Sequence, residues 1–234
     1  MLTIDFRNLQ MKPGFRVLDA GCGTGRHIRE VFQSPGVDVV GIDRKWGDLC
    51  EVRNSLYSMT NGESGSCIAA KADVTNLPFK DSAFDIVVCS EVLEHIPDNE
   101  AAVRELVRVL KPGKDMVVSV PSFLPERICW AISEDYHLEP GGHIRIYKKK
   151  SFKNLLERAG TKCWKICHKH ALHAPYWWLK CIVGHKNERS RLVNAYKKFL
   201  EWDIMTHPLW TRRLDKFLNP FMGKSIVFYL KKGC

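Results

Sequence analysis

The 234-residue chain holds no apolar run near the roughly 18–20 residues that span a bilayer as a helix. Met1 to Gln10 carries no basic stretch followed by an apolar one, so no export signal is read there and a cytoplasmic protein is expected. No Cys-x-x-Cys pair occurs. The nine cysteines are odd in number and scattered, which predicts thiols in a reducing compartment rather than a disulfide framework. No Gly-Lys-Ser/Thr follows a glycine turn, which excludes the phosphate loop of nucleotide hydrolases. Internal repeats and low-complexity tracts are absent as well. Acid is scarce at one end: residues 148–234 hold 5 Asp/Glu against 20 Lys/Arg, whereas residues 1–147 hold 21 against 16. Five of the seven tryptophans (Trp164, Trp177, Trp178, Trp202, Trp210) lie in that basic part. It suits an anionic partner, or lysines that solvate helix faces over an aromatic core.

The most informative segment that is present runs Val17-Leu18-Asp19-Ala20-Gly21-Cys22-Gly23-Thr24-Gly25. An apolar run ends in an acid, and three glycines follow at every second position. This predicts a strand feeding a tight turn that opens a helix. Glycine is needed where φ is positive or where a ligand must lie against bare backbone. The spacing differs from the dinucleotide fingerprint, which has no acid two residues before its first glycine and a wider final gap. Further on, apolar runs alternate with amphipathic stretches. Strands are expected near 16–19, 38–43, 67–71, 85–90 and 116–120, and helices after the glycine turn to Gln33, over 46–59 and from Pro97-Asp98 to Leu110. That alternation predicts an α/β fold with a parallel sheet covered on both faces. Ser151 caps an expected helix to Ala159, and 162–169 and 225–230 read as two last strands. About fifty helical residues lie between them.

Val17 to Gly25 resembles the first signature of class I S-adenosylmethionine-dependent methyltransferases. Four more stretches fit in order: Val40-Gly41-Ile42-Asp43; Lys71-Ala72-Asp73-Val74 with Leu77-Pro78-Phe79; Phe84 to His95; and Arg104 to Gly113. The match covers about 14–122 and is similar to the small-molecule branch with the ubiquinone and menaquinone C-methyltransferases. It implies a Rossmann-like, doubly wound, seven-stranded sheet, mostly parallel with an antiparallel last strand, forming one domain over 1–234. Within it, a helical cap at about 172–223 is expected over the strand C-termini and the acceptor site. The implied cofactor is S-adenosyl-L-methionine, with S-adenosyl-L-homocysteine as product. Gly21, Gly23 and Gly25 would admit its amino-acid tail, Asp19 would hold the ammonium, and Asp43 the ribose hydroxyls. Asp73 and Val74 would contact adenine, Arg44 would flank the adenosine, and Ser90 would line the same site. Turn acids that cap local N–H groups are the plainer reading of Asp43 and Asp73.

Methyl transfer to oxygen or carbon also needs a base. Glu91, after the fourth strand, and His143, in Gly141-Gly142-His143-Ile144, are the selected candidates. His95 and His137 are weaker ones, and each histidine has a structural alternative. The Glu94-His95 pair is expected to pack the loop after that strand. His168, His170 and His173 with Cys163 and Cys167 suggest a metal only by composition, and none is expected. The aromatic run Tyr176-Trp177-Trp178 fits a greasy pocket, a membrane interface or plain packing. The expected partner is a hydrophobic or anionic small molecule such as a quinone precursor, lipid or glycolipid, with peripheral contact to an anionic membrane. An RNA methyltransferase is the alternative, although Ser90-Glu91-Val92-Leu93 stands where many base-amino methyltransferases carry an Asn/Asp-Pro-Pro-Tyr tetrapeptide. A non-catalytic cofactor-binding subunit is a third reading. The sequence leaves the oligomeric state open.

Overall fold

The structure is a computed structural model, and residues 2–57 and 65–233 are described. Seven strands form one sheet: β1 (Arg16–Ala20), β2 (Asp38–Asp43), β3 (Cys67–Lys71), β4 (Phe84–Ser90), β5 (Leu110–Pro121), β6 (Thr161–Lys169) and β7 (Ser225–Lys232). Their spatial order is β3-β2-β1-β4-β5-β7-β6. The first five are mutually parallel, and β7 runs antiparallel to both neighbours. The seven-stranded sheet with its antiparallel strand is the expected fold. The sequence reading is corrected in two places: β5 begins at Leu110, six residues before the expected start, and pairs there with Phe84, and two helices, Phe123–Ile132 and Glu134–His137, follow it where no element is expected. The expected helix end at Met59 and residues 60–64 of the polar cluster lie outside the described residues.

Alternation along buried strands sends successive side chains to opposite faces. Leu18, Val87, Cys89, Val118 and Phe228 join α3 (Asn99–Val109) and α6 (Lys149–Arg158) in one core. Val17, Ile86, Val88, Val117 and Tyr229 join α1 (Arg26–Phe32) and α2 (Trp46–Tyr57) in the other. The Asp98 carboxylate accepts from the Ala101 N–H at 2.9 Å and starts α3, as an N-cap does. At the far end of β4, the buried Asp85 accepts from Lys111 Nζ at 2.8 Å, Lys114 Nζ at 3.2 Å and the Arg16 N–H at 3.1 Å.

Chain order reverses between β1 and β4, the crevice where open α/β sheets bind ligands. Two further elements meet the C-terminal edge of the sheet: α4 (Phe123–Ile132), directly after β5, and the short α5 (Glu134–His137). The insertion between β6 and β7 starts from the same edge, since Lys169 and Pro121 both pair with Ser225. It comprises α7 (His173–Ile182), α8 (Arg191–Thr206) and α9 (Leu209–Met222). Helix α7 packs on α4 and α8, and α9 packs on β6. The Trp178 indole donates to the Pro125 carbonyl at 3.1 Å.

Candidate functional site

The glycine turn closes on the end of β2, first through backbone. Gly21 and Cys22 N–H groups donate to the Ile42 carbonyl at 2.8 and 2.9 Å. Gly21, Gly23 and Gly25 have φ of +78°, +51° and +81°, conformations that L side chains rarely adopt. A Cβ on Gly21 would collide with Val92, and one on Gly25 would lie 2.8 Å from Val52 Cγ2. At Gly23 nothing stands within 4 Å of that position. The turn therefore keeps open backbone beside the end of β1.

Asp19 lies on β1 at this opening. It is buried, and neither carboxylate oxygen has a hydrogen-bond partner. Burial pushes its carboxyl up to about 7, with Asp43 adding to the rise and Arg26 opposing it. An enclosed carboxylate without a donor is costly unless a cation or proton answers it. An ammonium group is a fitting answer, so the residues present fit an aminoacyl-adenosyl cofactor on this structure's own evidence.

Asp43 Oδ2 accepts from the Gly23 N–H and Oδ1 from the Lys45 N–H, each at 2.9 Å. Asp73 accepts from the Thr75 N–H at 2.9 Å and its hydroxyl at 2.7 Å. Those bonds, the Thr75 hydroxyl first after its N–H, hold the Asp73 carboxyl below the usual carboxylate range. Local capping is thus realised at both acids. Each Asp43 oxygen keeps a second lone pair for a further donor, whereas both Thr75 bonds fall on Asp73 Oδ1 and leave Oδ2 for one. Arg44 Nε lies 3.9 Å from Asp73 Oδ2, and Val74 is buried beside them.

A second group of buried polar side chains begins where β4 ends. Glu91 has φ of +57°, a conformation that costs a non-glycine residue strain and recurs at working sites. Its N–H donates to the Ser119 carbonyl at 2.9 Å, and its Oε1 accepts from the Ser119 hydroxyl at 2.9 Å. Ser90 Oγ lies 2.8 Å from Ser119 Oγ. Because Ser119 spends its proton on Glu91, Ser90 is the donor of that pair, and its lone pairs stay available. Burial raises the Glu91 carboxyl, against lowering by Ser119, Lys224 and His143.

His143 reaches this group from the loop before α6. Its Nδ1 lies 2.6 Å from Glu126 Oε1, and Lys224 Nζ donates to Glu126 Oε2 at 2.9 Å. Burial pushes Glu126 up, yet the bonds from His143 and Lys224 prevail and hold it at about 2. Beside them Glu94 is fully buried, with no hydrogen-bond partner on either oxygen. Burial, with Glu91 next, drives its carboxyl well above the ordinary range. Tyr136 of α5 stands 6.5 Å from the His143 ring and 5.9 Å from Trp177 of α7. His185, after α7, lies 3.0 Å from Glu139. Of the insertion, α7 and the turn after it carry these contacts.

Glu91 and His143 are thus brought to one site. His95 joins them, its ring 4.9 Å from that of His143. His137 does not: it stacks on Trp130 at 3.9 Å. His168, His170 and His173 do not converge, since His168 meets Ser122 at 3.2 Å, His170 meets Thr3 at 3.3 Å, and the His173 ring sits beside that of His170. Sequence reasoning missed Glu126 and Lys224 and gave Glu94 only a packing role. The available signal was an acid inside the apolar helix Phe123–Ile132.

Residues 4–166 match the methyltransferase domain family, and the chain belongs to that family, the class I fold whose cofactor is S-adenosylmethionine. Over 138 residues it is 34% identical to cycloartenol-C-24-methyltransferase 1 of Oryza sativa, covering 59% of this chain and 37% of that protein. It is 33% identical over 136 residues to sterol 24-C-methyltransferase erg6 of Schizosaccharomyces pombe, covering 58% and 33%. The chain thus spans about a third of the length of these curated relatives. The solved structure of the [4+2]-cyclase SpnF superposes with a TM-score of 0.64 at 19% identity, covering 97% of this chain and 78% of that one. That likeness is one of fold alone.

Proposed function

We propose that the protein transfers the methyl group of S-adenosylmethionine to a hydrophobic small molecule, lipidic or isoprenoid in character. The observation that carries this reading is the junction of two buried acid sites at the ends of β1 and β4. The partnerless Asp19 carboxylate suits a cofactor ammonium. The Glu91, Glu126 and His143 group faces an aromatic wall of Tyr136 and Trp177. When bound, the cofactor supplies an electrophilic methyl on a sulfonium sulfur. The chain's task is to align an acceptor with it and to exclude water.

Asp19 holds the ammonium, the glycine turn admits the tail, Asp43 takes the ribose hydroxyls, and Asp73 and Val74 take the adenine, with Arg44 and Ser90 at the margins. Glu91 takes the proton that the acceptor loses. Its raised affinity for protons suits that role, since a base works best near ambient pH. The Glu126 carboxylate fixes the tautomer and orientation of His143 by accepting from Nδ1, so that Nε2 faces the acceptor side. The sterol methyltransferases among the relatives favour a lipidic acceptor over RNA.

The outer face of α8 and α9 supports a peripheral membrane position. Trp202, Met205, Leu209, Trp210, Phe217 and Phe221 are all exposed, amid Lys197, Lys198, Arg213 and Lys216. Trp202 and Trp210 sit together with ring centroids 6.1 Å apart. Aromatic and apolar side chains interleaved with basic ones are the pattern of helices that lie in an anionic interface. No described helix is long and apolar enough to cross a membrane.

The test is incubation with methyl-labelled S-adenosylmethionine and a cell extract, followed by phase partition. Label in the organic phase is expected. Nuclease-sensitive label in the acid precipitate would overturn the proposal in favour of RNA. No label above that of an Asp19→Asn control would favour a non-catalytic subunit.

A further inference from the structure

Three metal-competent side chains meet on the acceptor side of the site: Glu94, His95 and His143, whose donor atoms all lie within 4.8 Å of one another. Glu94 Oε1 is 3.9 Å from His95 Nε2 and 3.9 Å from His143 Nε2. Those separations are too long for hydrogen bonds. Ligand atoms that share one ion at about 2.0–2.2 Å stand about 3.3–3.6 Å apart in a tetrahedral site, so a small inward shift of the side chains closes them on one ion.

The protons are decided by the outer partners. His95 Nδ1 lies 2.9 Å from the Gly142 carbonyl, which can only accept, so Nδ1 donates. His143 Nδ1 lies 2.6 Å from Glu126 Oε1, and donation into that carboxylate is again the favourable sense. Both Nε2 atoms are then bare lone pairs in the neutral rings. They face the fully buried Glu94 carboxylate, which has no other partner. Lone pairs from all three side chains thus converge on one point, and a cation that displaces the Glu94 proton answers them together. A histidine ligand whose second nitrogen donates to a carboxylate or carbonyl is the usual outer arrangement of a metal site. Here both histidines have it.

We propose that Glu94, His95 and His143 bind one borderline divalent cation of the zinc type through a carboxylate oxygen and two imidazole nitrogens. Two imidazoles and one carboxylate suit such ions better than calcium or magnesium. Three protein ligands leave an open coordination position. That this position faces the acceptor rests on the function proposed above; the binding of the ion does not. The ion occupies the lone pair of His143, so proton removal falls to Glu91.

The experiment is a zinc titration of the chelator-stripped full chain by calorimetry, with metal content measured after gel filtration and S-adenosylmethionine affinity measured in parallel. Wild type is expected to hold one zinc that depends on these residues. Glu94→Gln and His95→Ala should each weaken zinc by about 10–100-fold or more, and Glu126→Gln, acting through His143, by about 10–100-fold. Cofactor affinity should stay within about threefold in His95→Ala, the most exposed of the three, which shows that the variant is folded. Zinc affinity unchanged in both Glu94→Gln and His95→Ala would overturn the proposal, because the ion would then be sitting on thiols. So would a wild type that binds cofactor but no stoichiometric zinc. Zinc bound here without methyl transfer would sink the function and leave the site. Methyl transfer by a protein that binds no zinc would do the reverse.

Discussion

Glu126 on α4 bridges His143 and Lys224, at 2.6 Å to the imidazole and 2.9 Å to the ammonium. Neither carboxylate oxygen touches solvent, and Lys224 stands immediately before β7. One buried acid thus ties a loop, a helix and a strand together beside Glu94.

Glu126→Gln keeps the shape and removes the charge, leaving Lys224 enclosed without its anion. Breaking one partner of a buried pair costs about 3–5 kcal/mol, so a clear drop in urea midpoint is expected. Lys224→Met in the same background should recover part of the loss, because the uncompensated charge goes with it. A double variant as unstable as the sum of the two singles, measured by urea unfolding, would show that the residues are not coupled.

Asp19 makes the pH dependence of cofactor binding predictable. Its carboxyl is raised to about 7 by burial, with Asp43 adding and Arg26 opposing. Below that pH it is protonated and cannot pair with an ammonium. Cofactor affinity should therefore fall by up to about tenfold per unit as pH drops below 7. For the unliganded chain the sign is opposite to that of a salt-bridged acid. The unfolded carboxyl ionises near 4 and the folded one near 7, so stability declines as pH rises between them. Asp19→Asn should raise the unliganded melting temperature at pH 8 while abolishing the pH dependence of binding. Calorimetric titration at pH 6, 7 and 8 checks both, and an Asn variant that binds cofactor as tightly as wild type would remove Asp19 from the site.

The cofactor half was legible because its chemistry is written contiguously. Asp19 and the three glycines fall within seven residues, and positive φ at those glycines is a backbone demand that only that residue meets cheaply. Strand β4 was legible for a similar reason, since burial on both faces forces an unbroken apolar run. The proposed acceptor side was legible only in part. Glu126 is 17 residues from His143, and Lys224 is 98 from Glu126, brought together by the pairing of β7 with β5. No periodicity announces such a meeting. Glu91 was singled out because it follows a recognisable strand; Glu94 was read as packing because its burial does not show in its spacing.

Asp85 offers a contrast far from the site. Its carboxylate is buried at the start of β4, where Lys111, Lys114 and the Arg16 N–H outweigh its burial and hold it below the ordinary carboxylate range. Asp85→Ala strands two lysines and an N–H, and a loss of about 2–4 kcal/mol is expected. Cofactor affinity of the folded fraction should not change. A variant with native stability would mean that both lysines are satisfied by water.

The exposed aromatic face of α8 and α9 can be tested apart from catalysis. Trp210 and Phe217 do not reach the site, and both are more than half exposed, at 55% and 69%. Replacing both by serine should therefore leave cofactor affinity and stability nearly unchanged. Each large apolar side chain moved from water into an interface is worth about 1.5–3 kcal/mol at full burial. Partial insertion of the two together should account for at least about tenfold in partition to vesicles. Binding to vesicles of phosphatidylserine and phosphatidylcholine, measured by sedimentation, should fall by that factor in the double variant. Salt should weaken the wild type further, since Lys197, Lys198, Arg213 and Lys216 lie among the aromatics and act over a Debye length of about 8 Å at physiological ionic strength. Wild-type binding that responds to neither change would mean that this face meets only solvent.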